Sequence, residues 1–302
     1  MSSSPVLPPF RAGALADPRL PTPDFPAQKQ QAPGLAKRMD PLPDHGEESY
    51  RGTGRLKGKR CLITGGDSGI GAAAAIAYAR EGADVAINFL PEEQEDADAV
   101  IALIEAEGRK AVAIPGDIRD EAFCKTLVDR AVDQLGGLDV LVNNAGRQQF
   151  CHDLADLTTE DFDATMKTNV YAPFWITRAA LPHMGQGGSI IITSSVQAFS
   201  PSGHLFDYAQ SKAANVAFAQ SLAKQFAPRG IRVNAVCPGP YWTALQISGG
   251  QPTDDAAAHG ASQPLGRPGQ PVEIAPIYVL LASDEASYIT GEYFGSVGGK
   301  GL

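Results

Sequence analysis

The chain has 302 residues, 43% of them hydrophobic and 20% charged, enough for one large domain with its own core. Asp and Glu total 34 against 25 Lys and Arg, a net charge of −9 that argues against a phosphate-neutralising nucleic-acid surface. No apolar run approaches the ~20 residues needed to span a bilayer, and residues 1–9 lack the regions of a secretory signal, so a cytoplasmic protein is expected.

Ten of the 23 prolines fall within the first 50 residues. Each removes a backbone donor and disfavours helix for its predecessor, so no regular element is expected here. Residues 1–55 read as an extended arm. Its apolar side chains Phe10, Leu20, Phe25, Leu35 and Met39 predict that it packs on the assembly rather than floating. Residues 56–302 read as one domain.

From Lys57 onward, short apolar runs alternate with helical periods. Residues 61–64 read as a buried strand before a glycine-rich turn, 72–80 as an Ala-rich helix stopped by Gly82, and 85–87 as a second strand. The next helix places Ala97, Val100, Ile101 and Ile104 on one face and ends at Gly108. Residues 111–114 are strand three, and a helix from about Glu121 packs through Phe123, Leu127, Val128 and Ala131. Strand four covers 138–142, a long helical region 162–184, strand five 189–193, a helix 208–226 and strand six 231–236. A helix near 272–281 and a strand near 293–297 close the pattern. Strands that are continuous apolar runs and alternate with helices predict an α/β fold: one doubly wound parallel sheet with helices on both faces. The four cysteines (Cys61, Cys124, Cys151, Cys237) show no paired or metal-ligand spacing and read as core thiols in a reducing compartment.

The segment TGGDSGIG (64–71) lies between strand one and helix one, the context a dinucleotide fingerprint requires. Glycine lets the backbone approach a pyrophosphate, and the amides opening the next helix face the anion. Asn143-Asn144-Ala145-Gly146 follows strand four, and strand five ends in Thr193-Ser194-Ser195, both at the carboxyl edge where ligands gather in such sheets. Tyr208 and Lys212 stand four apart at a helix start, which puts phenol and ammonium on one face. The lysine cation and an oxidised nicotinamide would each favour phenolate, lowering a reference pKa of about 10 and making the pair a general acid/base.

Together these motifs resemble the short-chain dehydrogenase/reductase family, over essentially all of residues 57–302. The matching pieces, in order, are TGGDSGIG, Asp117 after strand three, NNAG, Asn169 in TNVYAPF, Ser195, Tyr208 with Lys212, and the Pro238-Gly239 turn ahead of Thr243. The resemblance implies a Rossmann-type domain and reversible hydride transfer between a nicotinamide and an alcohol or carbonyl carbon. It makes Tyr208 the proton donor and acceptor, has Ser195 bond the substrate oxygen, and has Lys212 hold the nicotinamide ribose and tune Tyr208. Asn169 would complete a proton relay through water. Gly65, Asp67, Ser68, Gly69, Ile70, Gly71, Asn88, Ile118, Asn144, Ala145 and Gly146 are expected around the cofactor. Asp117 would contact the adenine, while Pro238, Gly239 and Thr243 would border the carboxamide. The stretches GEESYRGTGRLKGKRCLITGGDSGIG, INFLPEE and GRPGQPVEIA look like the bacterial subgroup with a long N-terminal arm, general aldehyde/alcohol oxidoreductases. A homotetramer is also implied, with residues 162–184 and 293–302 as contact surfaces.

The usual NAD signal, a carboxylate ending strand two, is replaced by Asn88-Phe89-Leu90, and no Arg or Lys stands there or in the glycine turn to meet a 2′-phosphate. Glu92, Glu93 and Asp67 make the neighbourhood acidic, so NAD(H) is expected in preference to NADP(H), the alternative. No metal is expected. The substrate side is expected from Arg147, Gln149, Gln197 and His204, and from residues 242–264, which begin at Trp242 and read as a mobile lid. Two other readings compete. A dinucleotide-binding sensor or scaffold would not need the full Ser195–Tyr208–Lys212 set, and enoyl-thioester reductases related to the family place Tyr and Lys further apart.

Overall fold

The computed structural model describes residues 20–249 and 251–302. Seven strands, β1 (Arg60–Thr64), β2 (Asp84–Phe89), β3 (Ala111–Pro115), β4 (Val140–Asn143), β5 (Ser189–Thr193), β6 (Arg232–Pro238) and β7 (Tyr293–Ser296), form one parallel sheet. Their order is β3-β2-β1-β4-β5-β6-β7, so the winding direction reverses between β1 and β4. Ile63 pairs in register with Val142 there, and the loops leaving these two strands open a crevice at the carboxyl edge. The central strands β5 and β6 are buried along their whole length, whereas the edge strand β7 alternates exposed and half-buried positions.

In chain order the helices are α1 (Gly69–Arg80), α2 (Gln94–Ala106), α3 (Glu121–Leu135), α4 (Thr159–Met166), α5 (Ala172–Ala180), α6 (Phe206–Phe226), α7 (Ala244–Ser248), α8 (Thr253–Ala257) and α9 (Pro271–Ala282). Helices α1, α2 and α9 cover one face of the sheet and α3, α5 and α6 the other, each through its own apolar core. The fully buried alanines Ala72 to Ala75 carry little side-chain volume, which lets α1 lie close to both the sheet and α9. Local signals set the ends of α3: the Asp120 carboxylate accepts from the Ala122 amide at 2.8 Å, and Gly136 stops it at φ +79.

The long helix expected over 162–184 is divided. Thr158 caps α4, and a π-helical turn at Lys167–Tyr171 separates α4 from α5. Such a turn admits one extra residue, which offsets the helical register at Asn169.

The described part of the arm packs against its own domain. Phe25, Leu35 and Met39 are buried, while Phe10 lies outside the described residues. Residues 242–264, expected as a mobile lid, are instead folded into α7 and α8 over a small core of their own. Trp242 is its centre: the Phe25 ring lies 4.1 Å from it, and its indole donates to the Pro41 carbonyl at 2.8 Å. The apolar residues of this segment are too few per turn to show a period, because part of their core, Phe25 and Met39, comes from the arm. All four cysteines are buried and unpaired. Among the described residues no helix is long and apolar enough to cross a membrane.

Candidate active site

The crevice between β1 and β4 widens into a cleft of about 1170 Å³. Its floor is the glycine turn. Gly65 adopts φ +60, and a Cβ on Gly71 would stand 1.8 Å from the Gly65 carbonyl oxygen, so the turn can fold back on α1 only with glycine there. Asn144 ties the turn to β4, donating its amide to the carbonyls of Thr64 and Gly65 at 3.2 and 3.1 Å. The Thr64 hydroxyl accepts from the backbone of Asn144 and Ala145. Thr243 reaches the turn from beyond β6, its side chain packing where a Cβ on Gly69 would sit. The opening N–H groups of α1 therefore face a rigid concave surface.

The catalytic candidates converge on the same cleft from β5 and α6. Ser195, Tyr208 and Lys212 all line it, and all three are buried. The Lys212 ammonium donates to the Thr193 carbonyl at 2.8 Å and lies 5.4 Å from the centre of the Tyr208 ring. Sequence reasoning expected the lysine to lower the phenol pKa. In this structure burial dominates instead, pushing Tyr208 up to about 12 against the opposing effect of the neighbouring Ser195 hydroxyl. Burial likewise pulls Lys212 down to about 8. The phenol is thus neutral near pH 7.

Asn169 is fully buried in the π-helical turn. Its amide bridges α6 to the loop after β4: it accepts from the Arg147 amide at 2.8 Å and donates to the Arg147 carbonyl at 2.8 Å and to the Ser211 hydroxyl at 2.9 Å. The side chain is a brace, its Oδ1 and Nδ2 both bonded to protein partners.

On the adenosine side, Asn88 lines the cleft but spends its amide on the carbonyls of Ile114 and Gly116, locking β2 to β3. Ile118 lines the cleft beside Asp117, whose carboxylate is held by Arg119 through contacts of 2.6 to 3.0 Å. That arginine is a cation the sequence reading overlooked at this edge, and its pairing with Asp117 two residues earlier is the signal that could have found it. Asp67 is buried in the turn, and its Oδ2 has no hydrogen-bond partner among the described residues. Burial drives its carboxyl well above the usual range, and burial together with Asp96 and Glu92 lifts nearby Glu93 to about 7.

The substrate expectations fare unevenly. Gln149 and Gln197 line the cleft. Trp242 does not: it is fully buried in the arm cluster. His204 is exposed outside the cleft lining, stacked on Phe150 at 5.0 Å, because its loop pairs with the one carrying Cys151. Arg147 also lines the cleft, but its guanidinium is tied to the Asp161 carboxylate at 2.7 Å and the Thr165 hydroxyl at 2.8 Å, which anchors α4. Lining residues that sequence reasoning missed include Ala32, Pro33 and Gly34 of the arm, whereas His259 and Gln263 belong to the 242–264 segment expected there.

These residues fit a nicotinamide dinucleotide. The turn is a cradle that a Cβ at Gly71 would fill, Asp67 Oδ2 is an unused acceptor beside it, and the cleft exceeds the ~300–1,000 Å³ of an ordinary small-molecule pocket. Pro238 and Gly239 close its far wall at the end of β6.

Comparison with known proteins agrees. A family model described as enoyl-(acyl carrier protein) reductase matches residues 65–300. The oxidoreductase YhxD of Bacillus subtilis is 56% identical over 279 residues, covering 91% of this chain and 93% of that protein. NADPH-dependent aldehyde reductase 1 of Arabidopsis thaliana is 39% identical, covering 90% and 96%. A short-chain dehydrogenase from Burkholderia cenocepacia, solved in complex with NADP, superposes with a TM-score of 0.76 at 41% identity, over 81% of this chain and 98% of that one. With the reversed sheet order, the glycine turn and the Ser–Tyr–Lys convergence in place, the chain belongs to the short-chain dehydrogenase/reductase family of oxidoreductases.

Proposed function

We propose that the protein interconverts carbonyl compounds and alcohols, working best as a carbonyl reductase, with Tyr208 as its general acid. The observation that carries this reading is the neutral, buried phenol of Tyr208 beside the Ser195 hydroxyl in the cleft that holds the glycine turn. The hydride for the carbonyl carbon would come from a reduced nicotinamide bound in this cleft. Ser195 donates a hydrogen bond to the carbonyl oxygen and orients it. Tyr208 then passes its phenolic proton to that oxygen as negative charge builds there. Lys212, held on the Thr193 carbonyl, would stabilise the phenolate left behind and hold the ribose hydroxyls of a bound dinucleotide. Tyr208→Phe tests the reading. Turnover with a panel of aldehydes, ketones and aldoses should fall about 1,000-fold while NADH binding persists, and unchanged turnover sinks it.

NAD(H) is the favoured dinucleotide. Asp67, Glu92 and Glu93 line the adenosine half, and Arg119 there is already paired with Asp117. A 2′-phosphate would add a dianion to a partly dehydrated corner where burial already disfavours the ionised forms of Asp67 and Glu93. The NADP complex of the Burkholderia relative and the name of the Arabidopsis relative favour the opposite choice, with Arg119 turning from Asp117 to the phosphate. The ratio of kcat/KM for NADH and NADPH decides: an NADPH advantage, lost in Arg119→Gln, establishes the second reading. The description of the family model also makes a crotonyl-type thioester a necessary assay, and reduction of it with none of carbonyls would move the protein to the enoyl class. A homotetramer is proposed too, since Tyr171 and Phe174 stand 44% exposed on the face expected to meet another copy; light scattering at several concentrations tests it.

A further inference from the structure

The arm does more than cover apolar surface. Between Gln30 and Gly46 it is fastened at four places around the cleft. The Gln30 amide donates to the Ile247 carbonyl of α7 at 3.0 Å, and Gly34 lies so close to α7 that a Cβ there would meet Ser248 at 2.9 Å. The amides of Ala36 and Lys37 both donate to the Asp96 carboxylate on α2, at 2.6 and 3.3 Å. Asp44 exchanges bonds with the start of α9, donating to the Gln270 side chain and accepting from the Val272 amide. The fourth fastening is His45, whose Nε2 accepts from the Gly69 amide, the first N–H of α1, at 3.1 Å. Between these points Ala32, Pro33 and Gly34 line the cleft beside residues of the glycine turn and the β2–α2 loop.

We infer that residues 32–45 form a wall of the dinucleotide site and that His45 is a positioning residue for the glycine turn. The inference rests on the reading of the cleft as a dinucleotide site. Its physical content lies in the choice of an imidazole. His45 Nδ1 faces the Glu47 carboxylate at 2.9 Å, which places the ring proton there and leaves Nε2 as a bare acceptor. A helix end carries partial positive charge and unsatisfied donors. A carboxylate on the Gly69 amide would cancel that charge, whereas neutral imidazole fixes the amide and leaves the field at Ile70 and Gly71 for an anion. The turn is then held from β4 by Asn144 and from the arm by His45. A ligand that binds only when the arm is docked must, by linkage, strengthen docking by the same factor.

The test uses the full chain and NADH fluorescence without substrate, so it does not depend on turnover. His45→Ala should raise the NADH Kd roughly tenfold, the effect of losing one buried hydrogen bond, and His45→Gln, which keeps a neutral acceptor, should recover to within about threefold. Ala36→Pro removes the donor to Asp96, a fastening separate from the His45–Gly69 bond, and suits the extended backbone of Leu35 before it. It should also weaken NADH binding, by roughly threefold to tenfold, and speed tryptic cleavage at the exposed Lys37 and Arg38. In the unaltered chain, NADH should slow that cleavage. Unchanged NADH affinity in His45→Ala, or cleavage indifferent to NADH, overturns the inference. Failure of the unaltered chain to bind NADH or NADPH overturns both this inference and the dinucleotide reading, whereas normal binding without turnover removes the catalytic reading alone.

Discussion

The two halves of the cleft are built on different principles. The dinucleotide half is made from main chain at strand ends, held by buried polar ties such as Asn144 to Gly65 and Asn88 to Gly116. The substrate half is assembled from distant pieces: the loops after β4 and β5, helix α7, residues 259–263 and the end of the chain. A main-chain surface tolerates almost no change in side-chain volume, while a surface of amide and hydroxyl side chains can be redrawn without touching the sheet. On the proposed function, cofactor binding common to many substrates would sit on the first half, and discrimination among them on the second.

That contrast can be broken deliberately. The largest effect is expected from Gly71→Ala, because its Cβ would overlap the Gly65 carbonyl; thermal unfolding should register a loss of 3 kcal/mol or more, on the order of severe overpacking, and NADH binding should vanish with it. A variant that binds NADH normally would show that the turn is not the rigid floor described. Trp242→Ala should cost about 3 kcal/mol if the arm cluster unfolds with the domain. Should that cluster instead open locally, proteolysis of the arm accelerates while the main transition stays put, so calorimetry paired with trypsin digestion separates the outcomes.

A smaller effect concerns pH. Lys212 is pulled to about 8 by burial, whereas Tyr208, at about 12, keeps its proton throughout. As pH rises through 8 the ammonium is lost, and kcat/KM for carbonyl reduction should decline, by up to about tenfold per pH unit above it. A profile flat to pH 10 would contradict the assigned lysine. The mildest change is Gln149→Leu, which should alter substrate KM a few-fold, about what one exposed hydrogen bond contributes, and leave NADH affinity alone.

Sequence alone exposed the first half well because its signals are local. Apolar runs named the strands, and TGGDSGIG, NNAG and the Tyr–Lys spacing each sit within a few residues of the geometry they encode. The substrate half was less legible because its partners are remote. Trp242 in a Gly- and Ser-rich stretch looks the same whether it faces a ligand or, as here, Phe25 more than 200 residues earlier. Arg147 looked available until Asp161 and Thr165 claimed it. The phenol was misjudged for another reason: charge proximity is visible in a sequence, but depth of burial is not.

The arm has one more implication, for the order of events when the chain is made. It is made before the rest of the domain, yet it binds Trp242, Gln270 and Val272, which follow it by about 200 residues or more. Its docking thus waits for those later segments, and chains interrupted before them would carry it loose. An early protease cut in the arm would then serve as a reporter of unfinished molecules.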